Sequence, residues 1–242
     1  MKQILPLLIF LPSISFSQNS IIIFRTKNTL TVGTDSYRAA QVKTADKKTA
    51  SSADGQNIMK EGGFYFAISG MATDKTIMAA RESCREGKTI AGLVRLFKEK
   101  RTKSFADEMF NIKTYQTSYY IHAIQNKYVF SIAFFGIEND TPKAAKIEFF
   151  VKDKINGGLT IETNIHQVPG KDKLSPSVII LGQKDAFNSR DNFGESMINN
   201  PVREIEILLR KQINKTPENV EFPIQIIQIK KDEVINIPKI YR

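Results

Sequence analysis

Short β-rich apolar runs open and close the chain, and stripes at helical spacing lie between them. Ser20 to Arg25 and Thr29 to Thr34 are β-rich and flank Thr26-Lys27-Asn28, which predicts a hairpin. Residues 37 to 56 are polar, rich in Ala, Lys, Thr and Ser, and without periodicity, the pattern of a mobile loop. Ile58 to Lys60 and Phe64 to Ser69 flank Gly62-Gly63 as a second hairpin, with glycines for the positive φ of the turn. Thr73 or Asp74 caps a helix holding Ile77, Met78 and Cys84 that stops near Gly87. Ile90, Leu93, Val94 and Phe97 then form a second helical stripe, which continues or restarts after Lys103 through Met109 and Ile112. Tyr128 to Phe135, Lys146 to Val151, Leu159 to Ile165 and Val178 to Leu181 read as strands, and a helix is expected beyond Gly182. Asn200-Pro201 opens a helix with Ile205, Leu208, Leu209 and Ile213 on one face. Phe222 to Ile229 and Glu233 to Ile237 close the chain as a hairpin around Lys230-Lys231-Asp232. This order of elements predicts an α+β domain, with sheets packed together and helices outside.

The first 17 residues stand apart. Lys2, an apolar run from Ile4 to Phe16 broken by two prolines, and the ending Ser15-Phe16-Ser17 form the pattern of a secretory signal peptide. The run is shorter than the roughly 20 apolar residues that cross a bilayer, so no transmembrane span is expected after cleavage. Residues 18 to 242 are expected to form one domain, large enough to bury a core without disulfides. Cys84, the single cysteine, reads as a small core residue.

The formal charge is +10, which admits an anionic polymer as a partner. The basic residues are scattered, however, with local clusters at Lys43, Lys47 and Lys48 and at Lys98, Lys100, Arg101 and Lys103. Scattered lysines form a solvated surface, and specific nucleic-acid binding is not expected. The chain has no phosphate-binding glycine loop, no CxxC and no HExxH, and no cofactor or metal is implied. His122 and His166 lie far apart, and Asp107-Glu108 and Asp232-Glu233 read as ordinary surface charges. Tyr115, Tyr119 and Tyr120 fit the core face of a helix better than a base-stacking platform.

Three segments together carry a family resemblance. Ser20-Ile21-Ile22-Ile23-Phe24 followed by Leu30-Thr31-Val32-Gly33-Thr34-Asp35-Ser36 resembles the first hairpin of proteasome β-type subunits, where a strand runs into a Gly-Ala-Asp-Ser type motif. Phe64 to Gly70 with Ala72-Thr73-Asp74 resembles the next strand and the turn into the first helix. Thr216-Pro217-Glu218-Asn219-Val220 running into Pro223-Ile224-Gln225-Ile226 resembles the last helix and strand of bacterial proteasome-like proteins. The resemblance covers residues 19 to 237 and implies the four-layer αββα sandwich of N-terminal nucleophile (Ntn) hydrolases.

In such enzymes the free first residue is Thr, Ser or Cys. Its side chain attacks an amide carbonyl, and its own α-amine accepts the proton. The family's aspartate maps to Asp35, and counting back places the nucleophile at Asn19, whose amide side chain cannot attack. Ser20 would serve only after Gln18 and Asn19 were trimmed and the register moved by one. The family's lysine maps to Gln56 or Asn57, with Lys60 further along, and its Gly-Ser-Gly turn maps to Gly182-Gln183-Lys184. The Asp and Ser after the last helix map to Pro217 and Val220. Of the supporting set only Asp35 remains, and Asp-Ser at a strand end also reads as a turn cap. The resemblance therefore implies an exported protein that keeps the fold, has lost or nearly lost its hydrolytic machinery, and acts in binding or oligomeric assembly with copies of itself or another protein. The alternatives are an amidohydrolase using Ser20 and a basic surface protein that binds anionic polymers.

Overall fold

The computed structural model of the chain describes residues 19–37, 57–170, 172, 174–182, 187, 194–217 and 220–242. The expected signal segment, the expected loop beyond Tyr37 with Lys43, Lys47 and Lys48, and the helix expected directly after Gly182 lie outside the described residues. Strands β1 (Ile21–Arg25) and β2 (Leu30–Tyr37) form the first hairpin, and β3 (Ile58–Glu61) and β4 (Phe64–Gly70) the second. Helices α1 (Asp74–Glu86) and α2 (Ile90–Tyr115) come after them, then α3 (Thr117–Tyr119) and a single π-helical turn at Tyr120–Ile124. Next come β5 (Lys127–Glu138), β6 (Thr141–Asp153), β7 (Leu159–Val168) and β8 (Ser177–Leu181). The short α4 (Glu195–Asn199), the longer α5 (Pro201–Lys215) and the hairpin of β9 (Val220–Ile229) and β10 (Val234–Ile240) complete the chain.

Local chemistry explains most boundaries. Thr73 caps α1 in a reciprocal arrangement with Thr76, and Asn200 caps α5, whose first residue is Pro201. Gly62 takes φ +60° in the β3–β4 turn, while Asn139 and Asp140 take φ +49° and +61° between β5 and β6, the left-handed pair a two-residue hairpin needs. The α2 stripe does not restart after Lys103: the helix runs unbroken for 26 residues and buries Arg101, Phe105, Met109 and Ile112 along with the first stripe.

The strands form two five-stranded antiparallel sheets, ordered β3-β4-β5-β6-β7 (sheet A) and β10-β9-β2-β1-β8 (sheet B). Three apolar layers hold them. Between the sheets, Ile21, Ile23 and Val32 of sheet B meet Ala67, Ala133 and Phe135 of sheet A. On the outer face of sheet A, Leu93, Phe97, Phe105 and Met109 of α2 pack against Phe130, Phe134 and Phe149. On the outer face of sheet B, Ile205 and Leu209 of α5 cover Ile22, Ile224 and Ile226. The layers thus run helices, sheet, sheet, helix. Each large apolar side chain fully buried this way contributes about 1.5–3 kcal/mol. Alternation along β1, with Ile21 and Ile23 on one face and Ile22 and Phe24 on the other, lets one strand serve two layers.

Several sequence expectations change here. Arg101 is not part of a solvated cluster: it is fully buried, with its guanidinium on Thr73, Thr76, Ser104 and Glu108 and over the Phe105 ring. Lys100 beside it is clamped by Glu82 and Glu86. Glu108 is accordingly a buried cation's partner, while its neighbour Asp107 is exposed. Tyr115 does not share a core face with Tyr120: it is 79% exposed, whereas Tyr120 is buried and donates its hydroxyl to Asp153. Cys84 does lie in the core, where burial pushes its thiol up to about 12 and leaves it unreactive. Among the described residues no helix is long and apolar enough to cross a membrane.

Candidate functional site

Of the residues mapped from the resemblance, Asn19, Ser20, Asp35, Asn57 and Gly182 converge at one end of β1. Asn19 and Ser20 are buried, and Ser20 continues the β1–β2 ladder by accepting the Asp35 amide on its carbonyl. Asp35 is not a turn cap at a strand end. It lies within β2, fully buried, and its Oδ1 accepts the Ser20 backbone N–H at 2.9 Å, with the Ser20 hydroxyl also bonded to the carboxyl. The β2–β9 ladder is regular as far as Thr34↔Gln225 and resumes at Ser36↔Glu221, so Asp35 stands where the pairing is broken. Such an irregularity turns a side chain away from its regular direction. Ser36 anchors the far side through a hydrogen bond to the Pro223 carbonyl at 2.7 Å.

The Asn19 carbonyl is gripped from sheet A. Ser69 donates its hydroxyl to it at 2.6 Å, and Gly182, at φ +76°, runs so close that an added Cβ would lie 1.9 Å from the Asn19 oxygen and 2.3 Å from Ser69 Oγ. Only glycine fits there, both for space and for backbone conformation. Gly182→Ala is therefore expected to destabilise the protein by about 2–4 kcal/mol through overpacking and a strained φ. Urea unfolding measures this, and a loss well under 1 kcal/mol would contradict the contact.

The position mapped to the family's lysine is filled by an amide. Asn57 Nδ2 donates to the Asp35 carbonyl at 2.5 Å and to Thr34 Oγ1 at 3.4 Å. Lys60 is directed elsewhere, over the Tyr65 ring at 5.5 Å from its centroid. With no neighbouring cation among the described residues to hold it ionised, burial dominates Asp35 and pushes its carboxyl up to about 8, against the opposing hydrogen bonds from Ser20 and its own backbone. Asp35 Oδ2 is buried with no hydrogen-bond partner among the described residues. A mostly neutral carboxyl held by a peptide amide can fix a strand, but it supplies no charge to activate a nucleophile.

Of the remaining mapped positions, Gln56, Gln183 and Lys184 lie outside the described residues, Pro217 lies just past α5, and Val220 pairs with Tyr37 at the start of β9. His122 lies in the π turn and His166 on β7, apart from this cluster, and no group of metal-ligating side chains forms among the described residues.

The structure adds a polar row that sequence reading missed. Ser69, Ser131, Glu148 and Asn164 are cross-strand partners on β4, β5, β6 and β7, so they share the face of sheet A turned toward sheet B. Lys146 pairs with Glu148 at 2.7 Å and reaches the Ile180 carbonyl of β8, and Asn164 donates to Glu148 at 3.2 Å. The available signal was a polar residue between two apolar neighbours, as in Phe130-Ser131-Ile132 and Ile147-Glu148-Phe149. Only the register shows that these residues line up beside Asn19.

No protein-family model matches the chain, and no curated protein matches it.

Proposed function

We propose that this is an exported proteasome-like protein with the αββα sandwich of the Ntn hydrolases, that it has lost their hydrolytic function, and that it works through binding or oligomeric assembly. The observation that carries this reading is the pair Ser20 and Asp35: the group held 2.9 Å from the carboxyl is a backbone N–H inside the fold, behind a buried Asn19, and the carboxyl is pushed toward neutrality. The helix, sheet, sheet, helix layering and the first hairpin that delivers Asp35 support the fold assignment. The amide of Asn57 in place of a cation supports the loss of chemistry. Paired basic residues such as Lys100, Lys146 and Arg101 leave less charge free for an anionic polymer than the composition suggests.

One observation favours the second reading, an active amidohydrolase. A chain beginning at Ser20 would have its α-amine beside Asp35 Oδ1 and its hydroxyl on the same carboxyl. The two readings separate in one experiment: intact mass and N-terminal sequence of the protein from its native host, followed by treatment with an acylating inhibitor. A start other than Ser20 and no adduct is the expected result. A start at Ser20 with one inhibitor mass on that residue would replace the proposal with the hydrolase.

A further inference from the structure

Two five-stranded sheets leave four outer edges, and three of them are blunted. Edge strand β3 has only 4 residues and β8 only 5, which limits the ladder either can offer. Edge strand β10 carries Pro238 and Lys239, and its pairing with β9 shifts register between Ile237 and Ile240. Short length, proline, lysine and bulges are the devices that stop sheets from joining edge to edge. Edge strand β7 has none of them. It runs 10 residues, Leu-Thr-Ile-Glu-Thr-Asn-Ile-His-Gln-Val, with no proline or lysine and an unbroken register against β6 from Asp153↔Leu159 to Ala144↔Val168. Half its residues are β-branched, and Glu162, Asn164, Ile165, His166 and Gln167 are exposed. Among the described residues no strand pairs with its outer edge.

We propose that β7 is a homodimer interface, at which the same strand of a second copy adds antiparallel across a two-fold axis through Asn164, joining two sheets into one of ten strands. Side-chain complementarity selects this occupant and register. An antiparallel self-pairing centred on Asn164 sets Glu162, which already accepts from Lys152 of its own chain at 3.0 Å, opposite His166 of the other copy, so that its carboxylate can also accept an imidazole N–H, twice by symmetry; these are the only titratable side chains of the strand. The same register sets Thr163 against Ile165, which is 39% exposed in the single chain, and covers its apolar surface. Asn164 meets its own copy, with Glu148 already accepting from its amide on each side. Main-chain hydrogen bonds supply the attraction, as in other strand-addition contacts, and the side-chain pairs fix the register. The inference specifies the assembly part of the function proposed above but stands on the sheet edge alone, because it requires nothing of Ser20 or Asp35.

The test is sedimentation velocity of the full mature chain over a concentration series, for wild type, Glu162→Lys and the double variant Glu162→Lys/His166→Glu. Wild type is expected to dimerise. The single variant should weaken the dimer at least about tenfold, because a lysine there leaves the His166 imidazole N–H without a carboxylate acceptor and sets a second ammonium beside Lys152 of its own chain. The double variant should restore it by setting an ammonium opposite a carboxylate in both pairs. Asn164→Cys gives an independent readout: Cys84 is buried, so oxidation should link two copies through position 164 alone, while a cysteine at Asn156, in the β6–β7 turn, should not cross-link. A wild-type monomer at all concentrations overturns the inference, as does a dimer unaffected by Glu162→Lys in a chain whose circular dichroism shows it folded. Neither result bears on whether Ser20 is active, which the inhibitor experiment decides separately.

Discussion

Asp35→Asn is expected to stabilise the protein at neutral pH and to flatten its stability profile between about pH 4 and 8. The unfolded chain ionises this carboxyl near 3.8, the folded chain only near 8. Between those values the folded state keeps a proton that the unfolded state has lost, so the wild type loses stability as pH rises across the window and levels off above it. At pH 7 the accumulated cost is on the order of 4 kcal/mol. Asparagine has no proton to lose and retains the Oδ1 acceptor that receives the Ser20 N–H. Its Nδ2 takes the place of Oδ2, which has no partner among the described residues, so the exchange adds no new orphan there. Urea unfolding of both chains at pH 5, 7 and 8.5 measures the effect. Equal stability at pH 7, or parallel pH profiles, would refute a neutral buried Asp35.

Glu108→Gln is expected to have a comparable effect of opposite sign, a loss of about 3–5 kcal/mol. Arg101 is fully buried, and Glu108 takes two of its guanidinium N–H groups, at 2.5 and 3.2 Å. Removing the carboxylate strands a cation in the core, whereas Lys75, the other partner of Glu108, is exposed and loses little. Adding Arg101→Met should return most of the loss, because the buried charge is then gone and Thr73 and Thr76 still bond each other. Thermal or urea unfolding of the single and double variants tests the pair, and a double variant no more stable than the single would show that the arginine's packing, not its charge, is what matters.

These two sites also show how much of the molecule can be read from the chain before folding. Asp35 was legible as a special residue because the hairpin that carries it has a distinctive pattern, and the strands, the caps at Thr73 and Asn200 and the three-layer alternation arise from local chemistry. Its neutrality was not legible, since that depends on how deeply the folded sheets bury the carboxyl, against the opposing hydrogen bonds from Ser20. Arg101 and Glu108 were misread for a related reason. Seven residues apart on α2, they look like solvated charges until α1 closes over them and supplies Thr73 and Thr76. Ser69, Ser131 and Glu148 look like interruptions of apolar strands, and only cross-strand register makes them a row. Tyr115 and Tyr120 part company because α2 ends at Tyr115 and the π turn rotates the residues beyond it.

The order of strands in the two sheets also governs how the molecule can assemble during synthesis. Sheet A draws on one continuous stretch, from Ile58 to Val168, and can close with α1 and α2 once β7 is made. Sheet B joins the two ends of the chain: β1, with Ile21, Ile22 and Ile23 wholly buried in the final structure, pairs with β8, and β2 pairs with β9. The first hairpin must therefore remain without its full set of lateral partners until Ile229 has been made, and contacts this distant in sequence form slowly. Throughout that interval a run of isoleucines is exposed to chaperones and to neighbouring chains, and a truncation before β9 would make that exposure permanent.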